Sequence, residues 1–205
     1  AGDGLCNPHH PPTPQICGNA AWSMIKQVRK GNIRSMYFEE PFGKGKMLPP
    51  ITVEAGGREV LIKGKIDRLD VLHEDAVRVV DYKTGRVLED DQNINDGNAE
   101  MIADKIFSKD EKERPKIALQ FYMYDLLLQD RPECAGKQMY NSVYSTSALF
   151  NEEPRVYPKN ECFFKAVTQR LEALLDEMYD VSVPFRRTSN EDVCEYCDFK
   201  MICGR

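Results

Sequence analysis

No apolar run in this 205-residue sequence approaches the roughly 20 residues that a membrane-spanning helix needs. The opening Ala-Gly-Asp-Gly has neither the charged leader nor the apolar stretch of a secretory signal. Its lack of an initiator Met suggests an excised or trimmed domain. Excess positive charge is also missing. A net charge of −5 argues against a strong, sequence-independent grip on nucleic acid by charge alone. Any basic footprint has to be local, either Lys26, Arg29, Lys30 and Arg34 or Lys44 and Lys46, and a solvated face is the bland alternative for both. Seven cysteines, an odd number, exclude a complete disulfide framework. Their uneven placement points to a reducing, cytoplasmic setting without a membrane partner.

What is present centres on one stretch. Lys63-Gly-Lys-Ile-Asp-Arg-Leu-Asp-Val-Leu and Ala76-Val-Arg-Val-Val-Asp-Tyr-Lys-Thr-Gly85 flank a short turn at His73-Glu-Asp. Only one hairpin register sorts these residues by type. It sets Val71 opposite Val77, Leu69 opposite Val79 and Asp67 opposite Asp81 on one face. The other face pairs Asp70 with Arg78 and Ile66 with Tyr82. Lys83, two residues beyond Asp81, shares the Asp67 face. The two Asp Cβ atoms then lie roughly 5 Å apart. Facing carboxylates repel unless a cation neutralises them, and a hard divalent ion with oxygen ligands does so. Lys65 opposite Lys83 is a like-charge pair that calls for a nearby anion, such as a substrate phosphate, or for divergent side chains. An ordinary amphipathic hairpin with solvated charges is the competing account.

Gly-x-Ile-Asp-Arg followed by Asp-Tyr-Lys-Thr-Gly resembles the PD-(D/E)XK nuclease superfamily, in its RecB/AddB-like branch. The resemblance implies that Asp67 and Asp81 carry Mg²⁺ or Mn²⁺, with the Tyr82 carbonyl as a further ligand. It makes Lys83 the residue that orients the attacking water and stabilises the developing negative charge. Arg68 belongs to the matched motif, and its plain structural role is a pair or stack on its own sheet face.

Taken in order, residues 1–18 are a Pro- and Gly-rich arm, with His9 and His10 before Pro-Pro-Thr-Pro. Asn19 can cap a helix to about Lys30. Strands are expected at 33–40 and 51–54, the second closed by Gly56-Gly57, with the organising hairpin beginning near Arg58. Residues 89–97 are polar, 99–107 fit a short helix, and Pro115 suits the first position of a helix reaching Gln129. Gln120 and Tyr124 share a face of that helix. Their spacing is similar to the Gln-x-x-x-Tyr motif of RecB-like nucleases, which implies a place beside the metal site. A strand from Lys137 to Thr146 follows, then a helix from Cys162 to Val181 with Phe163, Val167, Leu171, Leu174, Leu175 and Met178 as its apolar stripe.

The chain ends with Cys194-Glu-Tyr-Cys197 and then Cys203, a metal-ligand spacing. In AddB-like nucleases a similar triplet joins an upstream cysteine to hold a [4Fe-4S] cluster, and here Cys6 or Cys17 would be the fourth ligand. A cluster, a zinc ion, and a tail packed without metal through Tyr196, Phe199 and Ile202 all remain open.

The expected fold is α/β with a restriction-endonuclease-like core, a mixed, mostly antiparallel sheet flanked by helices, and a cysteine-rich C-terminal tail. The expected division is an arm over 1–18, a nuclease-like domain over 19–185 and a tail over 186–205 packed on the core. The resemblance implies a Mg²⁺-dependent deoxyribonuclease, an exonuclease rather than a sequence-specific endonuclease. It further implies the nuclease domain of a helicase–nuclease acting on DNA in double-strand-break repair, with a helicase domain or subunit as partner. One family feature is missing: the 19–30 segment has no His. That gap keeps open a weak or inactive nuclease-fold module that binds DNA or a partner subunit.

Overall fold

The computed structural model describes residues 33, 35–41, 50–73, 75–84, 87, 92–145 and 155–204. Among the described residues seven strands run in chain order: β1 (Ser35–Pro41), β2 (Ile51–Ala55), β3 (Arg58–Ile62), β4 (Lys65–His73), β5 (Ala76–Lys83), β6 (Gln138–Ser145) and β7 (Tyr157–Pro158). The α-helices of the described residues are α1 (Ala99–Phe107) and α2 (Lys116–Leu128), between β5 and β6, and α3 (Glu161–Tyr179) after β7. The helix expected over 19–30, the His9–His10 pair, Cys6, Cys17 and both basic clusters lie outside the described residues.

The main sheet has the order β1-β4-β5-β6-β7. Every neighbour is antiparallel except β5 and β6, which run parallel. A parallel pair needs a crossover, and α1 and α2 supply it. The central hairpin takes the expected register, with Val71 opposite Val77, Asp70 opposite Arg78 and Leu69 opposite Val79. It does not begin at Arg58. Residues 58–62 pair back onto 51–55 as a separate two-stranded sheet. Gly56 and Gly57 close it with φ of 57° and 69°, the left-handed pair that a two-residue hairpin turn requires.

α2 is apolar around most of its circumference because it is covered on two sides. One side joins a cluster with the central hairpin, in which Tyr124, Leu127 and Leu128 meet Ile66, Leu69, Val77, Val79 and Met139. The other packs Ala118, Tyr122 and Leu126 against Ile102, Ala103 and Ile106 of α1 and Phe163, Ala166 and Val167 of α3. Strict alternation assigns Ile66 to the Tyr82 side, but it is fully buried in the α2-facing cluster, near the end of the paired stretch. The glycine of the Gly-x-Ile-Asp-Arg motif has a packing cause: a Cβ on Gly64 would lie 2.5 Å from Leu127 Cδ1.

α3 begins where Asn160 accepts the Phe163 N–H, at 2.7 Å. Its apolar stripe is only half used, since Leu174 is 40% and Met178 53% exposed. Past Tyr179 the tail meets the core through polar contacts. Asp110 Oδ1 accepts from Thr188 Oγ1 (2.7 Å), Ser189 N (2.9 Å) and Ser189 Oγ (2.8 Å), and Asn190 Nδ2 donates to the Asp110 carbonyl (2.8 Å). The apolar anchoring expected of the tail is not what holds it: Tyr196, Phe199, Met201 and Ile202 are 65–86% exposed. The polar side chains of 188–190 have a partner in Asp110, whereas Tyr196 and Phe199 stay exposed.

Candidate active site

Four of the site residues expected from sequence meet around Asp81. Its carboxylate is almost wholly buried, and each oxygen faces a different element. Oδ1 accepts a hydrogen bond of 2.5 Å from Tyr124 Oη on α2. Oδ2 lies 2.8 Å from Lys83 Nζ, two residues along β5. Asp67 projects from β4 on the same face, half-buried, and its Oδ2 accepts the Tyr82 N–H at 3.1 Å. The pairing of β4 with β5 runs to Arg68–Val80. One residue further on, a side-chain acceptor therefore takes a backbone donor of β5.

Burial raises the Asp67 pKa above its ordinary value, and the charge of Asp81 adds to the rise. The Tyr82 N–H, Lys83 and Lys65 oppose it. The like-charged Lys65 and Lys83 thus both act on Asp67. Burial, then Asp81, push the Tyr124 pKa up strongly, so its hydroxyl stays protonated and remains a donor. Gln120, one turn before Tyr124, is half-buried on the same helix. The residue after Tyr124, Asp125, is raised to about 7 by burial while accepting from Asn141 Nδ2 at 3.0 Å. Nothing in the sequence singles that pair out.

The opposite face of the hairpin carries a second polar network, of which only the Asp70–Arg78 pair is legible from alternation. Arg68 is completely buried. Its Nε is 2.8 Å from Asp70 Oδ1 and its Nη2 2.9 Å from Asp70 Oδ2. Arg78 closes on the same Oδ2 at 2.7 Å. Arg68 Nη1 donates to Tyr82 Oη at 2.6 Å, and Nη2 reaches Tyr144 Oη at 3.5 Å. Burial works against the guanidinium charge, but Asp70 overrides it and the Arg68 pKa rises. Tyr144 escapes a sequence reading because it arrives through the parallel register that sets it beside Tyr82.

The donor set around Asp67 and Asp81 fits a hard divalent cation: two carboxylates, one with its charge disfavoured by burial, and the adjacent Tyr82 carbonyl. Mg²⁺ is commonly held by one or two carboxylates, with water and substrate phosphate completing its octahedron. The tail differs. Cys194, Cys197 and Cys203 are partly exposed and not disulfide-bonded. Among the described residues no three His, Cys, Asp or Glu side chains are placed to hold a metal ion. The described part of the tail therefore does not present a ready-made cluster or zinc site. Cys134 is buried in the core and Cys162 is exposed on α3.

An Asp–x–Lys strand facing a second acid across a hairpin, with a parallel crossover behind it, is a nuclease-type arrangement, and the family comparison agrees. The model of the PD-(D/E)XK nuclease superfamily matches residues 14–204, and the chain belongs to that superfamily. Among curated proteins it is similar to one of the subunits of the ATP-dependent helicase/deoxyribonuclease of several bacteria. The protein of Caldanaerobacter subterraneus subsp. tengcongensis is 20% identical over 92% of this chain and 20% of its own length. That of Clostridium acetobutylicum is 27% identical over 58% of this chain and 11% of its own. That of Alkaliphilus metalliredigens is 36% identical over 35% of this chain and 7% of its own. The chain thus spans a fifth or less of these relatives. Among the described residues no helix is long and apolar enough to cross a membrane.

Proposed function

We propose that this chain is a divalent-metal-dependent deoxyribonuclease domain of a larger helicase–nuclease that processes broken DNA. The observation that carries the reading is the convergence of Asp67, Asp81, Lys83 and Tyr124 at one end of the central hairpin. Asp67, Asp81 and the Tyr82 carbonyl would hold Mg²⁺ or Mn²⁺. When bound, such an ion lowers the pKa of a water and neutralises charge on the scissile phosphate. The Lys83 side chain, 29% exposed beside a buried carboxylate, can reach both solvent and substrate. Its ammonium orients the incoming water and offsets the charge that grows on the phosphate oxygens. Tyr124 fixes the rotamer of Asp81, and Gln120, one turn earlier on the same helix, would stand beside the site. In this reading 19–185 form the nuclease domain, and 186–205 are an appendage tied on at Asp110. Superfamily membership and the names of the relatives support it.

A second reading, a nuclease fold that binds DNA or a partner subunit without cutting, draws support from Asp81 itself. Its Oδ1 accepts from Tyr124 and its Oδ2 faces the Lys83 ammonium, as in an internal ion pair. Cleavage of linear duplex and single-stranded DNA with Mg²⁺ or Mn²⁺ separates the two. Wild type should cut, and Lys83→Ala should be slower by about 10²–10³-fold, the usual loss for one charge-stabilising donor. Equal rates in both would overturn the assignment of Lys83. A wild type that binds DNA without cutting it would favour the second reading.

A further inference from the structure

We infer that Arg68 is a positioning residue: its hydrogen bond to Tyr82 Oη holds the peptide between Asp81 and Lys83 in place, so that the Tyr82 N–H orients Asp67. This rests on the reading of Asp67 and Asp81 as metal ligands and adds a function for the network on the far face of the sheet.

The geometry runs as a relay through one residue. Tyr82 lies between the two site residues of β5, with its side chain on one face and its neighbours' side chains on the other. On the far face its hydroxyl is held by Arg68 Nη1 at 2.6 Å. Along the strand edge its N–H is given to Asp67 Oδ2 at 3.1 Å. Arg68 is unable to swing away. Asp70 grips it through both carboxylate oxygens, and Arg78, directly across the hairpin, grips Asp70 in turn. The Arg68 guanidinium also lies 5.0 Å from the Tyr144 ring and 5.7 Å from the Tyr82 ring, and the two rings meet edge to face at 5.6 Å.

Position matters here because the β4–β5 pairing reaches only Arg68–Val80. Beyond it, the side chain of Asp67 links β4 to β5, and the conformation of Tyr82 decides where its donor points. Burying the whole Arg68 side chain costs solvation even with Asp70 beside it, which is expensive as mere core. A strand end whose backbone donor must be aimed at a ligand gives that arrangement a use. Outer groups that orient metal ligands commonly set affinity as strongly as this.

The test is Mn²⁺ binding to the whole chain without DNA, read from the paramagnetic resonance signal of the free ion. Tyr82→Phe keeps the ring and removes only the hydroxyl that Arg68 holds. Its Mn²⁺ affinity should fall about tenfold or more, the range seen when an outer partner of a ligand is lost. Tyr144→Phe removes the other hydroxyl facing Arg68, on a strand that carries no site residue, and should keep its affinity within about twofold of wild type. Far-ultraviolet circular dichroism and melting temperature report folding for both. Equal losses in the two variants, or a lower melting temperature in Tyr82→Phe with wild-type affinity, would overturn the inference. Asp67→Asn separates it from its premise. If that variant binds Mn²⁺ as wild type does, the metal-site reading falls and the inference with it. If Asp67→Asn binds weakly while Tyr82→Phe binds normally, the inference falls alone.

Discussion

Tyr124→Phe isolates one hydrogen bond in the site. The ring belongs to the cluster formed by Leu69, Val77, Val79 and Leu127, and Phe fills the same space. What disappears is the hydroxyl 2.5 Å from Asp81 Oδ1. Only 6% of the Asp81 side chain is exposed, so water is poorly placed to replace the lost donor. Lys83 stays with the other oxygen, which limits the damage to one charge-assisted bond. A hydrogen bond to a charged group contributes about 1.5–3 kcal/mol net. At roughly 2–4 °C per kcal/mol for a chain of this size, the metal-free melting temperature should drop by about 3–12 °C. Denaturant unfolding at neutral pH should show the same loss without a change in slope, because the surface exposed on unfolding is unaltered. A loss under about 0.5 kcal/mol, the scatter of neutral surface changes, would refute the account of Asp81 as a carboxylate that depends on Tyr124.

Asp67→Asn should raise metal-free stability at neutral pH. The native pKa of Asp67 lies above its unfolded value, so the native state binds more protons, and stability falls as pH climbs from the unfolded pKa through the native one. Asn removes that penalty and can still accept the Tyr82 N–H; a variant no more stable than wild type at pH 7, with the same decline from acid pH, would contradict this. Gly64→Ala should destabilise by about 1–3 kcal/mol, as overpacking does, because the added Cβ would lie 2.5 Å from a Leu127 methyl buried in the core; urea unfolding with an unchanged midpoint would show that Leu127 moves aside freely. Asp110→Asn should loosen the tail, since Thr188 and Ser189 hold the Asp110 carboxyl down at about 2 by hydrogen bonding. Trypsin should then cut after Arg186 and Arg187 faster than in wild type, and equal rates would mean that the latch lies elsewhere.

The central hairpin is legible in the sequence for a local reason. Side chains alternate with a period of two, the turn is short, and only one register keeps Val71, Val77, Leu69 and Val79 together while pairing Asp70 with Arg78. The side chains of Asp67, Asp81 and Lys83 then share a face without any knowledge of the rest of the chain. Gln120 and Tyr124 share a helix face for an equally local reason. Their distance from Asp81 is another matter. The sequence carries no information on how α2 crosses the sheet, and only packing of Leu127 and Leu128 against Ile66 and Leu69 brings Tyr124 Oη onto Asp81. The Gly-Gly turn is visible as a break, but whether it ends a strand or reverses one depends on the partner available, and Ile51–Ala55 is that partner.

Tertiary structure decided the remainder through contacts between distant segments. Tyr144 stands beside Tyr82 only because β6 enters parallel to β5 after a crossover of more than fifty residues. Arg68 and Asp70 look like surface charges on a strand with one wet face, yet both are completely buried. The tail shows the reverse. Its aromatic residues suggest apolar docking, but hydrophobicity states only that a residue would gain from burial, not that a complementary surface exists. Asp110 instead accepts three hydrogen bonds from Thr188 and Ser189 at its carboxylate and one from Asn190 at its carbonyl, and these directional bonds settled where the tail lies. Composition and alternation thus determine which residues share a strand face or a helix face, because those periods are set by the backbone. Which faces meet is determined by shape and packing over the whole chain.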